Sequence, residues 1–89
     1  MKVTVRTVKV LNSTGLHARP AGMFIETANR FRSTIRVTKG EREVNGQSVL
    51  GLMLLEVTPG AEITIQAEGE DEEQAVNALA ELVAGGFGE

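Results

Sequence analysis

Apolar residues in this chain switch between two spacings along its length, and the order of the switches limits what it can fold into. In 34–39, Ile35 and Val37 alternate with Arg36 and Thr38, the period of a strand with one buried face. Lys39-Gly40-Glu41 reads as a hairpin turn that returns through 42–44. Residues 61–68 alternate again, with Ile63, Ile65 and Ala67 inward. Residues 2–10 are Val- and Thr-rich and read as a strand, but Val3 and Val5 fall on one face and Val8 and Val10 on the other. A bulge or a change of environment would account for that slip, with Val8 and Val10 expected in the core. Between these stretches the period becomes helical. Ala21, Phe24, Ile25 and Ala28 recur at i, i+3, i+4 and i+7 within 18–29, which leaves Met23 off the stripe and exposed, while Phe31 closes the core. Ala75, Leu79 and Leu82, flanked by Val76 and Val83, form a second stripe. Glu70-Asp71-Glu72-Glu73 opens that helix, Asp71 and Gln74 resemble a capping box, and Gly85-Gly86 end it.

A third, shorter helix is predicted over 48–54, capped by Ser48. Val49, Leu50, Leu52, Met53 and Leu54 make it apolar nearly all round, so one side is expected in the core and the other in an exposed docking patch. The order β-α-β-β-α-β-α implies an α+β two-layer sandwich on a four-stranded antiparallel sheet. With 42% apolar residues in a chain of 89, one core is expected, and residues 1–89 read as one domain.

Composition removes several function classes. The chain has no cysteine, which excludes disulfides, thiol chemistry and thiolate metal sites and suits a reducing cytoplasm. No apolar run approaches the roughly 20 residues of a membrane span, and no signal-peptide pattern is present, so no membrane insertion is expected. Net charge is −3, with no Trp, no Tyr and three Phe, which argues against nucleic-acid binding. No metal cluster is expected, because the acids at 70–73 complement a helix start.

The candidate chemistry lies in Gly15-Leu16-His17-Ala18-Arg19-Pro20-Ala21, which holds the single histidine. A lone histidine is most often a solvated loop residue or a cap, a lone arginine a surface charge, and a proline here an ordinary first-turn residue. Together they act on one small volume. A helix start presents free N–H groups and the positive end of the helix dipole, where an anion is stabilised. Arg19 adds a fork of donors for phosphoryl oxygens. The constellation suggests a histidine that accepts and donates phosphate.

The same segment, with Asn45-Gly46-Gln47-Ser48-Val49-Leu50-Gly51-Leu52-Met53, Pro59-Gly60-Ala61-Glu62-Ile63-Thr64-Ile65 and Ala67-Glu68-Gly69-Glu70-Asp71-Glu72, resembles the HPr family. These are histidine-containing phosphocarriers of the bacterial phosphoenolpyruvate:sugar phosphotransferase system. The resemblance covers essentially the whole chain. It implies an open-faced sandwich with three helices on one face, and a cytoplasmic monomer. Phosphorylated enzyme I would load His17 at Nδ1, and His17 would pass the group to an enzyme IIA domain. Arg19 would neutralise phosphoryl charge, and the N–H groups of Ala18 and Arg19 would point at its oxygens. No cofactor is implied, since the phosphoryl comes ultimately from phosphoenolpyruvate, and the protein would be a carrier, not an independent catalyst. Ser48 matches a regulatory site modified by an HPr kinase/phosphorylase in some bacteria, although Gln47 stands where relatives often carry Lys. Leu16, Met23, Leu50 and Met53 match partner-docking positions. Glu26 and Asn29 replace frequent lysines, with Arg30 and Arg32 as partial substitutes, which predicts altered electrostatic steering.

Two further readings stay open at this level. A nitrogen-type regulatory phosphorelay would use the same chemistry with other partners, and the tail Gly86-Phe87-Gly88-Glu89 and the Ser48-Val49-Leu50 helix resemble that branch. An allosteric binding partner acting after Ser48 phosphorylation would not need His17.

Overall fold

The computed structural model of the chain describes residues 2–88; Met1 and Glu89, the last residue of the Gly-Phe-Gly-Glu tail, lie outside them. Four strands, β1 (Val3–Lys9), β2 (Thr34–Lys39), β3 (Arg42–Asn45) and β4 (Glu62–Glu68), alternate with helices α1 (Ala18–Ala28), α2 (Val49–Leu54) and α3 (Glu72–Ala84), in the expected order. A 3₁₀ turn, Gly86–Gly88, follows α3. The strands form one antiparallel sheet in the order β1-β4-β2-β3. The last strand in sequence therefore pairs with the first and the second. The fold is the α+β open-faced sandwich, with three helices against the sheet.

Pairing of β1 with β4 runs without a break from Val3 opposite Glu68 to Lys9 opposite Glu62. Of the two explanations for the slip, the bulge is absent and the change of environment holds. Val3 and Val5 sit on the helix-free face, 49% and 55% exposed, while Val8 and Val10 continue the other phase into the core. A strand whose outer face meets water tolerates valines there, so the slip in the pattern was one of environment and not of register. The same outer face carries the Thr7–Thr64 hydroxyl hydrogen bond of 3.0 Å and the Arg36–Glu43 ion pair at 3.0 Å.

Ile35, Val37, Ile63, Ile65 and Ala67 cover the inner face. Phe24, Ala21 and Ala28 of α1, Leu52 of α2, and Ala75, Val76, Leu79, Ala80 and Val83 of α3 close over them. Ile25, Phe31 and Leu82 are half-buried at the edge of this core. Asp71 stands at the start of α3, but its side chain makes no cap and no capping box forms. Its carboxylate instead accepts from the Arg32 N–H (2.8 Å), the Ser33 N–H (2.9 Å) and the Ser33 hydroxyl (2.6 Å). The end of the α1–β2 loop is thereby pinned to the start of α3. These bonds, the Ser33 hydroxyl first, hold the Asp71 carboxyl below the usual carboxylate range.

Candidate functional site around His17

The loop before α1 is built by backbone contacts at its two ends. Gly15 has φ +64°, and a Cβ there would overlap the Val57 carbonyl oxygen, so both conformation and space demand glycine. The next residue, Leu16, donates its N–H to that same carbonyl at 3.1 Å. Buried Asn12 closes the loop from inside, its Nδ2 donating to the Gly15 carbonyl at 2.8 Å. The segment 55–58 thus braces the residue that precedes His17.

His17 is the N-cap of α1. Its carbonyl accepts the first helical bond, from the Ala21 N–H at 2.8 Å, and its ring Nδ1 accepts the Ala18 N–H at 3.0 Å. An accepting Nδ1 carries a lone pair, which leaves the ring proton to Nε2. The ring is exposed, as are Ala18 and Arg19, whereas Pro20 is buried. Among the described residues the Arg19 N–H has no protein acceptor and the guanidinium no ion pair. The first turn therefore offers one N–H already on the histidine, one free N–H, and a proline that offers none.

Two shallow hollows flank this turn and adjoin at Thr14. One is lined by Arg19 with Ser13, Pro20, Met23 and Phe87. The other is lined by His17 with Leu16, Met53, Glu56, Val57 and Thr58. His17 and Arg19 are neighbours on the helix start, yet their side chains line different hollows.

At the third corner stands α2. The Ser48 hydroxyl accepts the Gly51 N–H at 3.1 Å as the expected cap. Leu52 is fully buried, while Val49, Leu50 and Leu54 are 43%, 68% and 55% exposed, which is the divided helix the sequence predicts. Past its end, Lys39 Nζ donates to the carbonyls of Leu55 (3.4 Å) and Glu56 (2.8 Å). A cation on the last carbonyls of a helix satisfies orphan acceptors and complements the dipole.

Comparison with known proteins agrees with this geometry. Residues 4–85 match the family model described as the PTS HPr component phosphorylation site. The chain belongs to the HPr family. It is 42% identical over 84 residues to the phosphocarrier protein HPr of Neisseria meningitidis, covering 94% of each chain. It is 47% identical over 76 residues to the HPr-like protein Crh of Bacillus subtilis, covering 85% of this chain and 89% of that one. The crystal structure of HPr-C-His from Thermoanaerobacter tengcongensis superposes with a TM-score of 0.91 at 46% identity, covering all of this chain and 98% of that one. The chain is accordingly an HPr phosphocarrier of the phosphotransferase system.

Set on this HPr fold, two expected surface residues move. Leu16 is 2% exposed, because its N–H bond to Val57 turns the side chain into the core, and it offers a partner no surface of its own. Met23, expected to be exposed, is half-buried against the core between α1 and the Arg19 hollow. Leu50 is the most exposed large apolar residue of α2, and Met53 is half-buried on the wall of the His17 hollow. Asn12, Lys39 and Glu56 had no place in the sequence reading as site residues. Lys39 and Glu56 are brought to the site by long-range folding. Among the described residues no helix is long and apolar enough to cross a membrane.

Proposed function

We propose that His17 accepts a phosphoryl group at Nδ1 from phosphorylated enzyme I and passes it to an enzyme IIA domain of a sugar phosphotransferase system. The observation that carries this is an exposed imidazole at a helix start whose Nδ1 already stands on a first-turn N–H. The Nδ1 lone pair attacks phosphorus. The bond from phosphorus to the donor breaks as the P–N bond forms, and Nε2 keeps its proton. The Ala18 N–H, displaced from Nδ1, is then free to meet a phosphoryl oxygen beside the free N–H of Arg19. Arg19 supplies the remaining positive charge through its guanidinium. Phosphoryl transfer asks mainly for positioning and charge stabilisation, and the first-turn N–H groups and Arg19 are the groups this reading assigns to them. The second transfer reverses these steps toward the next acceptor.

Docking on α2 belongs to the same reading, with Leu50, Met53 and the exposed Val49 and Leu54 as the apolar contact. Ser48 phosphorylation would act on that surface: a phosphate adds about −2 charge at the edge of the patch and hinders partners. Cytoplasmic residence goes with this relay, and the absence of cysteine suits it. Incubation with phosphoenolpyruvate, magnesium and enzyme I from the same organism is expected to add one phosphoryl by intact mass. Transfer of that group to enzyme IIA completes the test. A protein that loads but never discharges to any sugar-type enzyme IIA would overturn the sugar branch of this reading.

A further inference from the structure

Glu56 stands on a backbone that disfavours it. Its φ is +54°, the left-handed position just past the end of α2 where glycine or asparagine is the usual occupant. The conformation is over-determined from several sides. The Glu56 N–H donates to the Met53 carbonyl at 3.1 Å, the Glu56 carbonyl accepts from Lys39, and the following Val57 carbonyl is held by Leu16 beneath the close approach of Gly15. Strain retained under such constraint marks a candidate functional position.

The side chain gains nothing within the chain for that cost. Glu56 is exposed, and among the described residues its carboxylate has no ion pair and no hydrogen bond. Lys39 meets the backbone carbonyl, not the carboxylate. What Glu56 does have is a place on the wall of the hollow that His17 lines, whereas Arg19 lines the adjoining one. That hollow is open to solvent and has a volume of about 260 Å³, room for a side chain from another protein. An arginine thus lines one of two adjoining hollows and an unpaired glutamate the other, whose wall also carries Met53 of α2.

We propose that Glu56 is a specificity-determining residue of the phosphoryl exchange, its carboxylate receiving a lysine or arginine side chain of the protein that docks on α2 and His17. The inference rests on the carrier reading above. Charge complementarity at the rim of an apolar contact acts chiefly on encounter and on choice of partner, so Glu56 contributes to association and not to the chemical step.

The test measures phosphoryl exchange with enzyme I and with enzyme IIA from the same organism, for the parental protein and for Glu56→Gln, Glu56→Lys, Glu56→Gly and Glu56→Asp. Glu56→Gln is expected to lower kcat/KM with at least one partner roughly two- to fivefold, and Glu56→Lys about tenfold. The loss is expected in KM with kcat unchanged, with Glu56→Asp recovering part of it. At about 1 M salt, where screening acts within roughly 3 Å, the gap between parental and variant should close. Glu56→Gly should lose exchange as Glu56→Gln does while its Tm rises, which separates the lost carboxylate from damage to the fold. Variants that match the parental rate with both partners at low salt would overturn the proposal, as would a loss that persists undiminished at high salt. If those variants match while the parental protein is loaded on His17, this inference alone fails. If the parental protein is never loaded, the carrier reading fails and takes this inference with it.

Discussion

Two consecutive first-turn residues divide the work at His17. In the proposed relay the Ala18 N–H positions the ring nitrogen and the Arg19 side chain meets the charge of the phosphoryl. Arg19→Ala should therefore slow transfer without abolishing it, because the free N–H groups of the helix start remain. Stopped transfer assays with enzyme I give the rate; a parental rate in Arg19→Ala would contradict the charge clamp. His17→Ala should remove loading entirely and keep the fold, losing a cap worth about 1 kcal/mol, which a thermal melt beside the mass assay will check. Both residues were legible in the sequence, because Gly15, His17, Arg19 and Pro20 each carry a local signal. Leu16 and Glu56 were not. Leu16 is turned inward by a bond to Val57, 41 positions on, and Glu56 adopts a positive φ with neither glycine nor asparagine to announce it.

At the scale of elements, the caps decide what can be tested. Ser48→Ala removes the Oγ acceptor from the Gly51 N–H and should cost about 1 kcal/mol, read as a lower midpoint in urea, while transfer through His17 continues. The start of α3 behaves differently. Asp71 and Gln74 have the spacing of a capping box, yet the carboxylate goes to Arg32 and Ser33. A local pattern lost to a tertiary one because three donors converge from the α1–β2 loop, and no sequence spacing reports that. Asp71 has a lowered folded-state pKa, so the stability it contributes is present above the unfolded carboxylate value of about 4 and is lost as pH falls through the lower folded value. Unfolding followed from pH 7 downward should show this acid-side loss in the parental protein, with less of it in Asp71→Asn. Identical pH profiles for the two would contradict the assignment.

The whole molecule carries its site on one corner, where the start of α1, the segment 55–58 and the open side of α2 meet. The layer architecture was readable from the alternation of periods, since each stripe and each strand face needs a partner layer. The sheet order β1-β4-β2-β3 was not, because pairing the last strand between the first two is a matter of long-range register that local periodicity leaves open. Val3 and Val5 show the same limit: only the finished sheet reveals that one of its faces stays open to water. The central claim is that this fold exists to hold one acid-labile phosphoryl on His17. The most direct measurement is intact mass after incubation with phosphoenolpyruvate, magnesium and enzyme I from the same organism, repeated after acid and after alkali. One added phosphoryl that acid removes, alkali spares and His17→Ala prevents is the predicted result. An unchanged mass, or a label that survives acid or persists in His17→Ala, would contradict it.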